Sequence, residues 1–337
     1  MTMSWLGIDI GGANLKAADG CGWARSEPFA LWRDPAGLAQ AICRLIDSGP
    51  AADRVAVTVT GELCDCFRTK AEGVRQILQS VVEASRGHDV RVYLTDGRLV
   101  LPDEARGRAH LAAASNWHAL ARFAGRFIED GRGGLLIDIG STTTDLVPLA
   151  KDYPCSTALT DTQRLLAGEL VYTGVSRTPV CAVVDTLPFR GNQCPVATEV
   201  FATTADAYVL LGEVSERVDA TWTADGRPLT GEFARERLAR MICADRTQFS
   251  PAAALDAARA IRDAQIVQLR RALDQVIGSR PTPPECFVVS GSGEFLARSL
   301  IGDRYPVATV ISLAERLGPG VSECAPAHAL AVLASTH

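Results

Sequence analysis

Two aspartates, Asp9 and Asp138, end apolar runs, and each is followed by glycine and then by small or hydroxyl-bearing residues. The first stretch reads Leu6-Gly7-Ile8-Asp9-Ile10-Gly11-Gly12-Ala13-Asn14-Leu15-Lys16. The second reads Ile137-Asp138-Ile139-Gly140-Ser141-Thr142-Thr143-Thr144-Asp145. Aligned on the aspartates, Gly11 matches Gly140, Gly12 matches Ser141 and Asn14 matches Thr143. A carboxylate at a strand end can hold Mg²⁺, usually through water, because this ion keeps part of its hydration shell. Glycine lets the backbone turn sharply and approach a ligand closely. Successive N–H groups and hydroxyls can bind phosphate oxygens. One Asp-x-Gly hairpin is commonplace. Two in one chain point to related domains facing each other, each with a phosphate-binding hairpin, and Asp9 and Asp138 reaching one metal–phosphate group.

Only three of the 34 basic residues are lysines, and one of them, Lys16, lies in the first hairpin. It would bring a compact, mobile point charge to the phosphates; a solvated surface lysine is the plain alternative. Glu62 follows a β-branched strand in a Thr60-Gly61-Glu62 turn, as a proton acceptor or amine-binding group, or else as a salt-bridged surface residue. Ser290-Gly291-Ser292-Gly293 follows another strand and opens a helix, a context for an anion near a helix N-terminus or simply a tight turn. No GxxxxGK[ST] loop exists, the SGSG turn lacks the third glycine of GxGxxG, and no GxSxG pattern surrounds it. Cys64-Asp65-Cys66 is the only close cysteine pair and lacks zinc-site spacing, which favours a structural role. His88, His110, His118 and His328 form no metal motif and read as surface or packing residues.

The elements that must position these groups follow from periodicity. Strands are expected over 5–10, 15–18 and 22–31, then a helix with Asp34 as N-cap and Pro35 in its first turn. A strand over 55–60 leads to Glu62, a helix includes 76–83, and a strand covers 90–94. This is a mixed α/β order. Residues 102–131 are Ala-rich and helical, and carry the crossover to the second hairpin. Residues 188–195 read as a loop over the cleft. Helices are expected from Thr203, over 233–242 and, capped by Ser250, to about residue 277. A strand at 287–289, a helix over 295–300, a strand at 307–311 and a helix at 327–333 complete the chain. That last helix has no partner nearby in sequence and is expected to pack back on the first domain.

Composition agrees. A chain of 337 residues with 47% hydrophobic content has room for two cores. A net charge of −5 without a basic stripe argues against nucleic acid. No apolar run approaches the ~18 residues of a membrane span. Met1-Thr2-Met3-Ser4 leads straight into the first strand, so no signal peptide is expected. Ten scattered cysteines suit free thiols in a reducing cytoplasm.

These residues resemble the superfamily of acetate and sugar kinases, Hsp70 and actin. Asp9-x-Gly11-Gly12 is similar to its first phosphate motif and Asp138-x-Gly140-Ser141-Thr142-Thr143 to its second. Ser290-Gly291-Ser292-Gly293 is similar to its adenosine-binding turn. The resemblance spans the chain and implies two ribonuclease-H-like domains around a central cleft. The first would cover 1–103, completed by the C-terminal helix at 323–337; the second would cover 104–322.

Within that superfamily the chain resembles the hydantoinase A/oxoprolinase-type group, nearest a branch linked to tetrahydromethanopterin-dependent one-carbon transfer. The first hairpin carries this resemblance together with three other stretches: Thr58-Val59-Thr60-Gly61-Glu62-Leu63, Gly168-Glu169-Leu170-Val171-Tyr172-Thr173-Gly174-Val175 with Arg177-Thr178-Pro179-Val180, and Thr204-Ala205-Asp206. The branch includes an archaeal methanofuran-biosynthesis synthase joining an aminomethylfuran diphosphate to a tyramine phenol. The resemblance implies a transferase with small-molecule substrates, one bearing a diphosphate, and Mg²⁺ on Asp9 and Asp138. It implies catalytic roles for Lys16, Glu62 and Asp138. Phosphate or nucleotide would be bound by Gly11, Gly12, Asn14, Lys16, Gly140, Ser141, Thr142, Thr143, Ser290, Gly291, Ser292 and Gly293. Thr60, Thr173, Arg177 and Asp206 would line the substrate pocket. ATP and a homo-oligomer stay open. The alternatives are an ATP-dependent kinase or amidohydrolase, and a non-catalytic nucleotide switch.

Overall fold

The computed structural model describes residues 4–85, 87–220 and 222–336, with only the backbone of Asp303. Met1, Thr2 and Met3, on which the signal-peptide expectation partly rests, lie outside the described residues.

Two sheets repeat one topology. In the first, β1 (Trp5–Gly11), β2 (Asn14–Ala18) and β3 (Ala24–Pro28) form an antiparallel meander. The strand β4 (Arg54–Thr60) then inserts parallel to β1, followed by β5 (Asp89–Tyr93) and the short β6 (Leu99–Val100). The spatial order is β3-β2-β1-β4-β5-β6. The helices α1 (Leu38–Asp47) and α2 (Lys70–Ala84) connect β3 to β4 and β4 to β5.

Three short helices, α3 (Pro102–Gly107), α4 (Ala109–Ala112) and α5 (Asn116–Ala124), cross to the second sheet. There β7 (Gly134–Ile139), β8 (Thr144–Ala150), β9 (Tyr153–Pro154) and β10 (Leu170–Val171) surround α6 (Asp161–Ala167) in sequence. A hairpin of β11 (Thr186–Phe189) and β12 (Asn192–Pro195) precedes the helices α7 (Thr204–Leu210), α8 (Gly231–Met241) and α9 (Pro251–Gly278). The chain then returns as β13 (Cys286–Ser290), α10 (Glu294–Ile301) and β14 (Thr309–Ser312). It ends in α11 (Leu313–Leu317), α12 (Pro319–Ser322) and α13 (Ala325–Ala334). The sheet order β10-β8-β7-β13-β14 repeats the first five strands of the first sheet; β6 has no counterpart, and β9 pairs with β8 off this path. Both sheets therefore have ribonuclease-H-like topology, and the molecule is an α/β protein with two lobes.

Strand periodicity decides which way the aspartates face. Side chains alternate between sheet faces. Leu6, Ile8 and Ile10 enter the core under α1 and α2, with Leu38, Ile42, Val74 and Ile77. Trp5, Gly7 and Asp9 take the opposite face, where Trp5 meets Leu330 and Leu333 of α13. In the second sheet Leu135, Ile137 and Ile139 pack with Leu269 and Leu296, from α9 and α10. The other face carries Leu136 into a cluster with Trp117, Ala325 and Ala329, from α5 and α13. Asp138 shares that face. Each aspartate thus lies on the sheet face that packs against the shared layer of α5 and α13, so the last helix does pack back on the first sheet while also contacting the second.

Three expectations need correction. The first helix begins at Leu38, because the Asp34 carboxylate accepts the Gly37 N–H at 2.9 Å in a turn ahead of the helix. The third strand is shorter than expected. Gly22 has φ +133, and Pro28, with no N–H to give, ends this edge strand. Residues 188–195 are no loop but most of the β11–β12 hairpin. Arg190 and Gly191 both have positive φ (+50 and +78), as a tight two-residue hairpin turn needs. The Phe189 ring lies 6.0 Å from Phe249 and anchors the hairpin beside α9.

Candidate active site

Cross-strand register builds the first hairpin's chemistry. Asp9 lies directly opposite Lys16 on β2 and beside Thr58 on β4. The Thr58 and Thr60 hydroxyls donate to Asp9 Oδ1 at 3.0 and 3.2 Å. Burial raises the Asp9 pKa, while the Lys16 charge, both threonines and Asn116 pull it down. Asn116 is the first residue of α5, so the crossover helix starts at this carboxylate. Gly12 faces Cys64: an added Cβ would lie 2.7 Å from the Cys64 sulfur. Burial pushes that thiol up to about 11, which keeps it protonated and packing.

Asp138 occupies the equivalent place in the second sheet, opposite Asp145 on β8 and beside Ser290 on β13. The Gly140 N–H donates to the Thr143 carbonyl at 2.9 Å and closes the turn. Ser141 is exposed, while Thr142 and Thr143 are half-buried. Burial, then repulsion from Asp145, pushes Asp138 up to about 7, against the pull of Ser290 and Lys16. The Ser290 hydroxyl is buried beside Asp138 yet not in full hydrogen-bond geometry with any protein group. Lys16, directly opposite Asp9, lowers the pKa of both aspartates against burial.

The SGSG turn belongs to this second hairpin. Gly291 has φ +85, and an added Cβ would lie 2.3 Å from the Ile139 carbonyl oxygen and 2.7 Å from Asp138 Oδ1. The Gly293 N–H donates to Ile139 O at 2.9 Å. Ser292, between these glycines, is exposed. Glu62 sits beside the first hairpin, since a Cβ on Gly61 would come within 3.3 Å of the Gly11 backbone. Its side chain is buried and Oε2 has no partner. Burial raises Glu62 to about 7, with Asp161 adding to the push and Lys70 opposing it.

The pocket residues divide. Thr60 sits on Asp9. Arg177 is exposed, with its backbone N–H on the Ser141 carbonyl at 2.9 Å. Thr173 is not a pocket wall: fully buried, it donates to Thr178, accepts from Gln265 at 2.8 Å and, through its carbonyl, from Thr144. The adjoining Gly174 presses on the second hairpin, where a Cβ would be 2.5 Å from Gly140 O. Thr173 thus supports the hairpin from behind. Asp206 also serves the fold. One oxygen accepts from buried Arg237 at 2.8 Å and the other from the Thr203 N–H, which closes the first turn of α7. Burial raises its pKa to about 6 despite Arg237.

Asn116 escaped the reading from sequence, which gave Asp145 no role. Asn116 gives no local signal, because it is brought by a crossover. Asp145 was visible at the end of the second motif, at the position equivalent to Lys16. Its charge is met by the buried Arg164 at 2.7 Å, whose guanidinium lies 4.1 Å from the Trp117 ring centroid.

Among the described residues no group of three His, Cys, Asp or Glu side chains is placed to hold a metal, and no helix is long and apolar enough to cross a membrane.

Comparison with known proteins gives a consistent family. The hydantoinase/oxoprolinase family model matches residues 53–337. The chain is 33% identical over 336 residues to a Methanocaldococcus jannaschii protein, covering 99% of this chain and 98% of that one. That protein is named (4-{4-[2-(gamma-L-glutamylamino)ethyl]phenoxymethyl}furan-2-yl)methanamine synthase. A protein of the same name from Methanococcus vannielii is 28% identical over 206 residues, 59% of this chain and 89% of that one. A solved polyphosphate/ATP-glucomannokinase from Arthrobacter sp. strain KM overlays 99% of the chain and 100% of its own, at 14% identity and TM-score 0.46. With the family model matched over most of its length and a synthase aligned from end to end, this chain belongs to the hydantoinase/oxoprolinase family and is an enzyme.

Proposed function

We propose that this enzyme condenses an aminomethylfuran diphosphate with a tyramine- or tyrosine-type phenol, forming an ether and releasing diphosphate, in the biosynthesis of a methanofuran-type one-carbon carrier. The name of the relatives describes a phenoxymethyl-furan, an ether between a phenol oxygen and a furan methylene; we carry that bond to this chain. The observation that supports the reading most is the equivalent register of Asp9 and Asp138 near the ends of the first strands of the two sheets, with Lys16 directly opposite Asp9 and its charge lowering the pKa of both carboxylates.

The donor set fits Mg²⁺. Asp9 and Asp138 would hold it as hard oxygen ligands, the kind that suits an ion taking one or two carboxylates and filling its shell with water and substrate phosphates. When bound, the ion neutralises charge on the diphosphate. The protein's own groups do the rest. As the methylene–oxygen bond breaks, its electron pair goes to the diphosphate, and the furan stabilises the positive carbon. The Lys16 ammonium and the donors of Gly11, Gly12, Asn14, Ser141, Thr142 and Thr143 stabilise the leaving charge, a preorganised electrostatic effect, while Gly140, whose N–H is spent on the Thr143 carbonyl, holds the shape of the hairpin. The phenol oxygen bonds to the methylene and its proton passes to Glu62 Oε2, a group poised near neutrality as a general base should be. Ser290, Gly291, Ser292 and Gly293 leave room for an ATP-dependent alternative, a kinase or amidohydrolase.

Calorimetry with diphosphate, with and without Mg²⁺, tests the site. Wild type should bind diphosphate with Mg²⁺ dependence. Asp138→Asn should lose most of that dependence and keep its melting temperature to within a few degrees. Unchanged Mg²⁺-dependent affinity would remove Asp138 from the site.

A further inference from the structure

Arg177 is an exposed arginine with no carboxylate partner among the described residues, unlike the buried Arg164 and Arg237. Its place is set by a backbone bond to one hairpin and a ring contact toward the other. Its backbone N–H is tied to the Ser141 carbonyl at 2.9 Å, with the Ser176 N–H on the same oxygen at 3.0 Å, so its segment moves with the second hairpin. Its charge reaches the Cys64 thiol, which lies against Gly12 of the first hairpin. Its guanidinium lies 5.7 Å from the ring centroid of Trp32, a half-exposed indole of the first lobe. Trp32 follows Leu31, whose N–H donates to Gly12 O at 2.9 Å, so the indole is tied to the first hairpin in turn. The guanidinium therefore bridges from one hairpin to the other across the lobes.

We propose that Arg177 is a second cation on the diphosphate, carried by the second lobe and oriented by stacking on Trp32 of the first. This rests on the transferase reading and names a residue for its leaving group. A guanidinium presents a planar fork of donors suited to two phosphate oxygens, which an ammonium cannot match. Stacking on an aromatic face holds that plane without consuming its donors. Lys16 and Arg177 then approach the diphosphate from opposite lobes, and both stabilise the negative charge that builds on it as the carbon–oxygen bond gives its electron pair to the leaving group. Trp32 is a positioning residue in this arrangement.

The test uses the full chain as wild type, Arg177→Ala, Arg177→Lys, Trp32→Leu and the Trp32→Leu/Arg177→Ala double variant. Calorimetry measures Mg²⁺–diphosphate affinity; steady-state rates with furan diphosphate and phenol give kcat and KM for each substrate. Arg177→Ala should weaken diphosphate binding about tenfold or more and lower kcat by on the order of 10²-fold, with KM for the phenol unchanged. Arg177→Lys should recover only part of this. Trp32→Leu should weaken diphosphate binding less, and its effect should vanish in the double variant, which a merely structural role would not produce. Unchanged diphosphate affinity in Arg177→Ala, beside a binding-competent wild type, overturns this inference alone. So does a rise confined to the KM of the phenol, which would make Arg177 a carboxylate-binding group. A wild type that binds no diphosphate overturns the transferase reading together with it.

Discussion

At the scale of single residues, the two halves of the molecule are most informative where they differ. Lys16 and Asp145 hold the same register position opposite their aspartates. One places positive charge opposite its aspartate, and the other places negative charge there, which Arg164 meets. Glu62 gives the clearest pH behaviour. Its proton-accepting form is the carboxylate, so kcat/KM should rise with pH through about 7 and level off above it. Glu62→Gln should lose that rise and most of the rate. A profile that keeps its limb near 7 in Glu62→Gln would assign the proton acceptor elsewhere. The same raised pKa has a stability counterpart of opposite sense. The folded state binds this proton more readily than the unfolded chain, so metal-free protein should gain stability as pH falls from about 7 toward the ordinary carboxylate range. Glu62→Gln should flatten that part of a urea-midpoint profile. The letters alone did not show which pocket candidates are tied into the fold: Thr60, Thr173 and Asp206 were all assigned to the pocket. Their roles diverge only through partners contributed from afar, such as Gln265 for Thr173 and Arg237 for Asp206.

At the scale of elements, both hairpins were legible because alternation and the Asp-x-Gly repeat are local, period-two signals. The β11–β12 hairpin was not, because Pro188 and Pro195 disguise a strand that survives only in an isolated two-stranded ribbon. We propose that 1–103 with 323–337 and 104–322 are the two folding units, with α5 and α13 as their shared layer. Gly7 shows how tightly α13 is seated: an added Cβ would stand 2.1 Å from the Ala327 carbonyl oxygen and 2.9 Å from the Ala331 nitrogen. Backbone on both sides leaves no side chain to yield. Gly7→Ala should therefore cost about 1–3 kcal/mol by overpacking, seen as a lower urea midpoint. Deleting the residues after Glu323 should expose the apolar surface around Trp5, Ala56 and Tyr93 and lower the melting temperature. An unchanged midpoint in Gly7→Ala would mean that α13 is not locked onto β1.

At the scale of the whole molecule, the doubled topology explains the doubled chemistry. Two sheets sharing one five-strand order each place an aspartate at the end of their first strand, on the face turned to the same helical layer. What the sequence could not display is the meeting of the halves: Lys16 with Asp138, Asn116 with Asp9, Arg177 with Trp32. The members of those pairs are remote along the chain and are brought together only by the fold. The central claim is that the joint site activates a diphosphate leaving group rather than spending a nucleotide. It is tested by mixing enzyme, aminomethylfuran diphosphate, phenol and Mg²⁺ without nucleotide, and following ether and diphosphate by mass spectrometry. Ether and diphosphate should appear in equal amounts with no ATP present, and Lys16→Ala should slow both by on the order of 10²-fold. Turnover that requires ATP and yields ADP would contradict the transferase account.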